Sequence, residues 1–151
     1  MSTYHLPLKK IAVAQWIEKR LQAIGSHSCG SIGNFIEGSE FYELKNSVRD
    51  YQVIYIYHPN KIKRPKQGIQ ILKELQKSKS DFKACVVSAR KPVHSFPQGV
   101  DIFVRPEIQK LRELYNQSKV LMHTSVIEGW GLPPMEAIAC GCAVAAYKNE
   151  G

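Results

Sequence analysis

The feature that most constrains the fold is a regular alternation of short apolar segments with segments of helical periodicity, from residue 51 to residue 147. The segments predicted as strands are 51–59, 82–89, 100–104, 119–125 and 142–147. Helices are predicted over 67–79, from Pro106 onwards and over 132–141. Near-continuous apolar strands that alternate with helices favour a parallel sheet with helices on both faces. The predicted fold class is therefore α/β, with a Rossmann-like sheet.

The first 50 residues follow a less regular pattern. Residues 10–25 suggest an extended entry that runs into a helix ending near Gly25, and residues 26–50 are interpreted mostly as loop. Because no repeat or linker interrupts the chain, residues 1–151 are predicted to form a single domain. The chain ends at Gly151, just after a predicted strand, where a doubly wound sheet would continue into another helix. We therefore expect a fragment of a longer fold.

Composition excludes several classes of protein. The 151 residues are 44% hydrophobic, which is enough for a core without disulfides. No apolar run approaches the ~20 residues that span a bilayer, and no signal peptide is evident. The four cysteines form no C-x-x-C pair, and His27 with Cys29, Cys140 and Cys142 lacks the usual zinc-finger spacing. These features predict a cytosolic chain with reduced thiols and no metal site.

The formal net charge is +8, and much of it lies in one short loop. Lys61, Lys63, Arg64 and Lys66 fall within six residues. A basic cluster of this kind attracts polyphosphate, an acidic membrane surface or nucleic acid alike. A solvated charged face explains it equally well.

The loop and helix over 125–141 hold the most informative residues, because ligands of doubly wound sheets bind beyond the carboxyl ends of the strands. Gly129 and Gly131 permit close backbone approach before the helix, whose N-terminus could bind phosphate. Glu128 and Glu136 lie at either end, eight positions apart. The alternative is that glycine and proline only shape a tight turn and that Glu136 complements the helix dipole. That alternative leaves Glu128 and Trp130 unexplained.

The same segment, with Glu128 and Glu136 in register, resembles the E-x7-E signature of the retaining nucleotide-sugar glycosyltransferases of family 4. That signature belongs to the second Rossmann-like domain of a GT-B enzyme. Segments 33–42, 53–72 and 106–125 resemble further family segments more loosely. The resemblance covers residues 30–151 in order and spacing, and only the E-x7-E block is diagnostic alone.

The resemblance implies a role for each matching residue. Glu136 would accept hydrogen bonds from the ribose hydroxyls of the donor, and Glu128 would be the catalytic residue that contacts the donor sugar. The flexible Gly129 and the N–H groups of Trp130, Gly131 and Leu132 would approach the donor sugar or diphosphate. Trp130 replaces the commoner Phe.

The resemblance also implies where the nucleotide base lies, whereas the interpretation of His123 depends only on its strand. The nucleotide base would stack near Val104 and Arg105, after strand 100–104. His123, within strand 119–125, is interpreted as a buried or rim histidine rather than a catalytic base.

The basic loop departs from the family, which places an Arg five residues before the Lys of a Lys-Gly pair. Aligned through the strand, Lys63 falls on that Lys, His58 on the Arg and Arg64 on the Gly. Aligned through the helix, Gly68 matches the Gly, but Gln67 and Ile62 replace the two cations. Neither register restores both cations. Lys63, Arg64 or Lys66 would then have to supply the charge from shifted positions. The phosphate ligands expected here are His58, Lys63 and Arg64, with a solvated loop charge as the alternative for Lys63.

The function implied is that of the C-terminal half of a GT-B fold, truncated at its C-terminus. With a missing N-terminal domain that binds the acceptor, it would hold a nucleoside diphosphate sugar and pass a hexose to a hydroxyl with retained configuration. No cofactor or metal is expected, since cationic side chains and a helix N-terminus would stabilise the diphosphate. The isolated fragment is expected to be inactive.

The family also implies a cellular setting. Its members mostly build cell-surface polysaccharide or glycolipid in the cytoplasm, at the inner face of the membrane, where peripheral association through Lys and Arg would be favoured. No nucleic-acid partner is expected, because bare charge without an aromatic groove or recognition helix is weak evidence for one. Two alternatives remain: a non-catalytic basic binding module with the same fold, and a sugar phosphorylase or sucrose-synthase type of relative.

Overall fold

The computed structural model describes residues 3–149, and its centre is a five-stranded parallel sheet. The strands are β3 (Tyr51–Tyr57), β4 (Ala84–Ser88), β5 (Val100–Val104), β6 (Ser118–His123) and β7 (Ala143–Ala146). Their order is β5-β4-β3-β6-β7, and every pairing is parallel. The predicted Rossmann-like sheet is confirmed. Four strands lie inside their predicted ranges, and β6 begins one residue before its range, at Ser118.

Helices cover both faces of this sheet, as predicted. They are α2 (Pro65–Ser78), α3 (Ile108–Asn116) and α4 (Leu132–Ala139). Alternate residues of β3 point to opposite faces. Tyr55 packs in a cluster with Leu72 of α2, whereas Ile54 packs with Leu114 of α3 and Ala137 of α4. All of these side chains are almost completely buried.

The strand order determines which loops meet. Because β3 and β6 are neighbours and parallel, the loops that follow them leave the same edge of the sheet side by side. The short 3-10 helix Lys61–Lys63 lies in the first of these loops, and the glycine-rich segment before α4 forms the second. The edge strand β5 joins β4 through residues 89–99, which contain no helix.

The N-terminal part of the chain forms a separate unit. A short 3-10 helix, Thr3–His5, precedes β1 (Lys10–Ala12), α1 (Gln15–Ala23) and β2 (Ser28–Ser31). β1 and β2 pair with each other in parallel and do not join the main sheet. The expected entry strand and helix are present, and the helix ends at Ala23, close to Gly25. The strand β2 was expected to be loop, because its sequence, SCGS, has no apolar alternation.

Residues 32–50 connect the two units and pass over α3 and α4. Phe41 is buried and makes an edge-on contact with Tyr115, with ring centroids 6.1 Å apart. The guanidinium of Arg49 donates to the backbone oxygens of Tyr115, Ser118 and Cys140. These bonds satisfy carbonyls in the last turn of α3, just after that helix, and at the C-cap of α4, and so tie the connecting segment to the ends of both helices.

Candidate functional site

Hydrogen bonds join the two loops at the carboxyl edge of the sheet. The N–H of Val126 donates to the carbonyl of Ile62 at 3.0 Å. The hydroxyl of Thr124 donates to the carbonyl of Lys63 at 2.6 Å. Since both bonds fix the backbone next to Lys63, its side chain starts from a defined position.

Gly68 of α2 is required by the same arrangement. A Cβ at this glycine would lie 2.5 Å from Cζ of the Tyr55 ring, which is closer than atoms can pack. Without that Cβ, the buried Tyr55 hydroxyl lies 3.3 Å from the Thr124 hydroxyl. Gly68 therefore has a packing role of its own, whichever register relates it to the family's Lys-Gly pair.

Glu128 is the centre of a compact charged cluster. Lys63 Nζ lies 2.6 Å from Glu128 Oε1, and the Glu128 side chain is only 11% exposed. His123 Nε2 lies 3.0 Å from the same oxygen, in a direction poor for a hydrogen bond. Burial alone would raise the pKa of Glu128, but its polar contacts with His123, Lys63 and Ser125 lower that pKa to about 2. Glu128 is therefore an ionised carboxylate at any physiological pH.

The start of α4 presents a small set of backbone donors. Gly131 is the N-cap of this helix, with a φ of +90° that suits glycine. Pro133 and Pro134 occupy the first turn and carry no N–H. The donors that this turn can offer a ligand are therefore the N–H groups of Trp130, Gly131 and Leu132.

Trp130 packs against the segment that connects the two units. A Cβ at Gly33 would lie 2.4 Å from Cη2 of the Trp130 ring, so only glycine allows the two segments to approach this closely. A Cβ at Gly129 would meet Val13 and Ile17 at ordinary distances of 3.6 and 3.9 Å. The loop before α4 therefore contacts the segment around α1 at Gly129 and the connecting segment at Trp130.

Glu136 lies within α4, one turn beyond its start, and has different surroundings. Its Oε2 accepts a hydrogen bond from the hydroxyl of Tyr115, at 2.8 Å. Burial raises the pKa of Glu136, and the charge of Glu40 raises it further, while the Tyr115 hydrogen bond partly offsets both. The pKa of Tyr115 is raised well above its usual value by its own burial and by Glu136, so the phenol stays protonated as the donor.

The remaining predicted site residues have other contacts. His58 is exposed, and its Nδ1 accepts from the N–H of Asn60. Arg64 has a left-handed φ of +48°, and its guanidinium lies 5.3 Å from the centroid of the Tyr147 ring. Val104 and Arg105 lie at the end of β5, which β4 and β3 separate from β6. Of the predicted residues, Lys63 and Glu128 are in direct contact. The loop and helix that follow Glu128 contain the other predicted residues of this segment: Gly129, Trp130, Gly131, Leu132 and Glu136.

Three residues of the site were not predicted to have functional contacts. His123 approaches Glu128, Tyr115 donates to Glu136, and Thr124 anchors Lys63. In the sequence, Tyr115 and His123 are explained by their apolar neighbours on a helix face and a strand. No local pattern marks them, because their partners come from other elements of the fold.

Two further searches were made over the described part of the chain. Residues 3–149 contain no group of three His, Cys, Asp or Glu side chains placed to hold a metal ion. None of the helices in that range combines the length and the apolar character needed to cross a bilayer.

The strand order and the joined loops are those of a Rossmann-like domain of the kind found in GT-B glycosyltransferases. Comparison of the sequence with known families matches residues 37–151 to glycosyl transferases group 1. The chain belongs to this family, and it contains a glycosyltransferase group 1 domain. No match is found among the curated proteins.

Solved structures similar to the chain support the fold. A sucrose-phosphate synthase from Thermosynechococcus elongatus is 18% identical, with a TM-score of 0.74 over 95% of this chain and 41% of that one. TarM from S. aureus is 16% identical, with a TM-score of 0.72 over 93% of this chain and 30% of that one. The C-terminal domain of LpcC, a glycosyl transferase group 1 family protein from Francisella tularensis, is 21% identical, with a TM-score of 0.61 over 74% of this chain and 70% of that one. The chain therefore spans less than half the length of the first two.

Proposed function

We propose that this chain supplies the donor-binding lobe of a retaining glycosyltransferase, which holds a nucleoside diphosphate sugar and transfers its hexose to a hydroxyl. The observation that carries the proposal is the meeting of Lys63, Glu128 and the start of α4 at one edge of the sheet. A cation, an ionised carboxylate and free backbone donors are the groups that a sugar diphosphate needs.

The proposed roles follow from these surroundings. Lys63 and the N–H groups of Trp130, Gly131 and Leu132 would bind the diphosphate and stabilise its charge as it leaves, without a cofactor or metal. Glu128 would hold a hydroxyl of the donor sugar close to the reacting carbon. Glu136 would accept hydrogen bonds from the ribose.

The other predicted ligands would complete the donor site. Because Arg64 follows Lys63 directly, a rotation of its long side chain away from Tyr147 would add a second cation. His58 would have a peripheral place in the phosphate loop. The base would stack on Val104 and Arg105.

We propose that a companion lobe binds the acceptor and that β1, α1 and β2 belong with it. Two parallel strands alone make a poor sheet, since parallel sheets are normally larger and covered on both faces. Ile11 and Ile32, in β1 and next to β2, are 63% and 66% exposed. The isolated C-terminal domain of LpcC matches 74% of this chain, whereas sucrose-phosphate synthase matches 95%. The longer match to sucrose-phosphate synthase than to an isolated C-terminal domain supports a companion lobe that includes part of this chain.

The setting proposed for this activity is the synthesis of cell-surface polysaccharide or glycolipid. It would proceed in the cytoplasm, at the inner face of the membrane. The positively charged loop around Lys63 would bind the diphosphate, and its remaining charge would attract anionic lipid.

The test is the thermal stability of the chain with UDP, GDP, ADP, dTDP and a short single-stranded DNA. A ligand at 100 times its Kd should stabilise the fold by about 2.7 kcal/mol. We expect one nucleoside diphosphate to stabilise the chain, and Glu136→Ala to remove that effect.

Lys63→Met should raise the Kd for the nucleoside diphosphate at least tenfold. Lys61→Met is its matched control. Lys61 belongs to the same 3-10 turn, but it is exposed and lies away from Glu128. A response to DNA alone, or equal losses in the two lysine variants, would contradict the proposed donor site.

A further inference from the structure

A cavity of about 570 Å³ lies between α1 and the two loops of the donor site. Its walls are mostly apolar and come from Trp16, Ile17 and Ile24 on one side and from Ile62 and Ile127 on the other. Lys63 and Glu128 also line it. The cavity is therefore continuous with the charged cluster at the sheet edge and yet has the opposite chemistry.

The apolar walls are unusually open to solvent. Ile24, Ile62 and Ile127 are 46%, 42% and 39% exposed, although they come from three separate segments. Exposed apolar side chains that converge on one cavity are typical of ligand sites, which are mainly apolar and contain a few polar groups. The volume also falls within the range of roughly 300–1,000 Å³ found for small-molecule pockets.

We propose that this cavity binds the apolar part of the acceptor, and that the acceptor is an uncharged alcohol carrying an alkyl or aryl body. The inference rests on the proposed function, because it assigns the cavity to the substrate that receives the sugar. With its body against Ile24, Ile62 and Ile127, such a molecule would direct its hydroxyl towards Glu128, beside the donor sugar.

The charged end of the cavity favours a neutral head group. A hydroxyl can donate to the Glu128 carboxylate and accept from the Lys63 ammonium at the same time. Lys63 and Glu128 lie 2.6 Å apart and balance each other's charge, so a carboxylate or an amine head would gain attraction from one and repulsion from the other. Arg20, the other cation of the lining, has its guanidinium over the Trp16 ring, 5.1 Å from the ring centroid. A free sugar would leave the apolar walls in contact with water.

The test uses the whole chain and three probes: octyl β-glucoside below its micelle concentration, phenyl β-glucoside, and glucose. Trp16 lines the cavity and is one of two tryptophans in the chain, so its fluorescence can report occupancy. Calorimetry would give the Kd. We expect at least one glycoside to bind at least tenfold more tightly than glucose, and the alkyl and aryl probes distinguish which body the cavity accepts.

The variant that should block the cavity is Ala23→Phe, since Ala23 lines it from an exposed position at the end of α1. Its matched control is Val48→Phe, at a position 69% exposed and outside the cavity walls. Ala23→Phe should weaken glycoside binding at least tenfold, and Val48→Phe should leave it unchanged. Ile127→Ser provides a second way to weaken binding, by removing apolar surface instead of filling space.

Nucleotide titrations on the same variants separate the two proposals. Ala23→Phe should respond to the nucleoside diphosphate as the unsubstituted chain does. If nucleotide binds and neither glycoside does, or if Ala23→Phe and Ile127→Ser both bind as the unsubstituted chain does, the acceptor inference is overturned alone. If a glycoside binds and no nucleotide does, the proposed function is overturned, and the acceptor assignment with it.

Discussion

Glu128 and Glu136 lie eight positions apart on one loop and helix, yet the two ends of this segment have opposite surroundings. At the Glu128 end, a lysine and a histidine converge on one carboxylate oxygen. At the Glu136 end, the carboxylate is held by a neutral phenol in a buried setting. The pKa of the first is lowered to about 2, and that of the second is raised.

This difference shows how one sequence motif can supply two kinds of carboxylate. The Glu128 carboxylate is paired with the Lys63 ammonium, so this end of the segment offers a ligand both an acceptor and a cation. Glu136 has a neutral neighbour, so its hydrogen-bonding capacity is suited to neutral hydroxyls. The elements that bring up the partners, the loop after β3 for one and α3 for the other, decide the chemistry of each end.

The largest effect should come from Glu128→Gln, which removes the nearly buried counter-charge of the half-buried Lys63 side chain. We expect a loss of about 3 kcal/mol in the free energy of unfolding at neutral pH, the order implied by the lowered pKa and by a broken buried ion pair. Urea denaturation would measure it. A loss below about 1 kcal/mol would mean that the Lys63 contact is as weak as a surface ion pair.

The pH dependence of that loss provides an independent check. Since the folded pKa of Glu128 lies below its usual value of 4.5, its contribution is fully present above about pH 4.5 and disappears as the pH falls towards 2. The unsubstituted chain should therefore lose stability over this interval more steeply than Glu128→Gln. Parallel profiles for the two proteins would show that Glu128 is not the group responsible.

Most of the main sheet could be predicted from the sequence, because strand and helix patterns are local. The apolar run of β3 and the spacing of Ile69 and Leu72 in α2 suffice to specify their elements. The short strand β2 could not be predicted, since Ser28–Ser31 are small residues whose strand conformation depends on pairing with β1. Long-range pairing overrides weak local preference there.

The candidate site was predictable only in part, and for the same reason. Glu128, Glu136 and the glycines around Trp130 lie together in the sequence, and they could be identified from the resemblance to a family motif. Tyr115 donates to Glu136 from α3, 21 positions earlier in the sequence, which no motif spans. His123 approaches Glu128 from the end of β6, and its apolar strand gives no sign of that contact. Lys63 was one of several cations in its loop. The sequence does not indicate that Thr124 would fix its backbone carbonyl or that its ammonium would pair with Glu128.

A smaller effect should follow from Tyr115→Phe at the other end of the segment. The substitution removes the hydroxyl that donates to Glu136 and keeps the ring packed in the core. We expect a loss of about 1 kcal/mol in stability, the usual net value of a buried hydrogen bond. It should also weaken binding of the nucleoside diphosphate, because Glu136 would be less well oriented.

Tyr42→Phe is the matched control for that experiment. The Tyr42 ring is 41% exposed and contacts the Arg112 guanidinium through its face, which phenylalanine preserves. Its stability and its nucleotide response should both be unchanged. Equal behaviour of the two tyrosine variants would show that the phenol does not orient Glu136.

The smallest effect, and one of opposite sign, is expected for Glu136→Gln. A carboxyl whose folded pKa is raised contributes stability below its usual pKa, and that contribution is lost as the pH rises through the folded value. Ionising Glu136 in its buried surroundings therefore costs stability as the pH rises, and glutamine avoids that cost, while its amide oxygen can still accept from Tyr115. We expect Glu136→Gln to be equal in stability to the unsubstituted chain or more stable by no more than about 1 kcal/mol, as measured by urea denaturation at pH 7. A loss as large as that of Glu128→Gln would mean that both carboxylates are held by charge, and the contrast between the two ends would not stand.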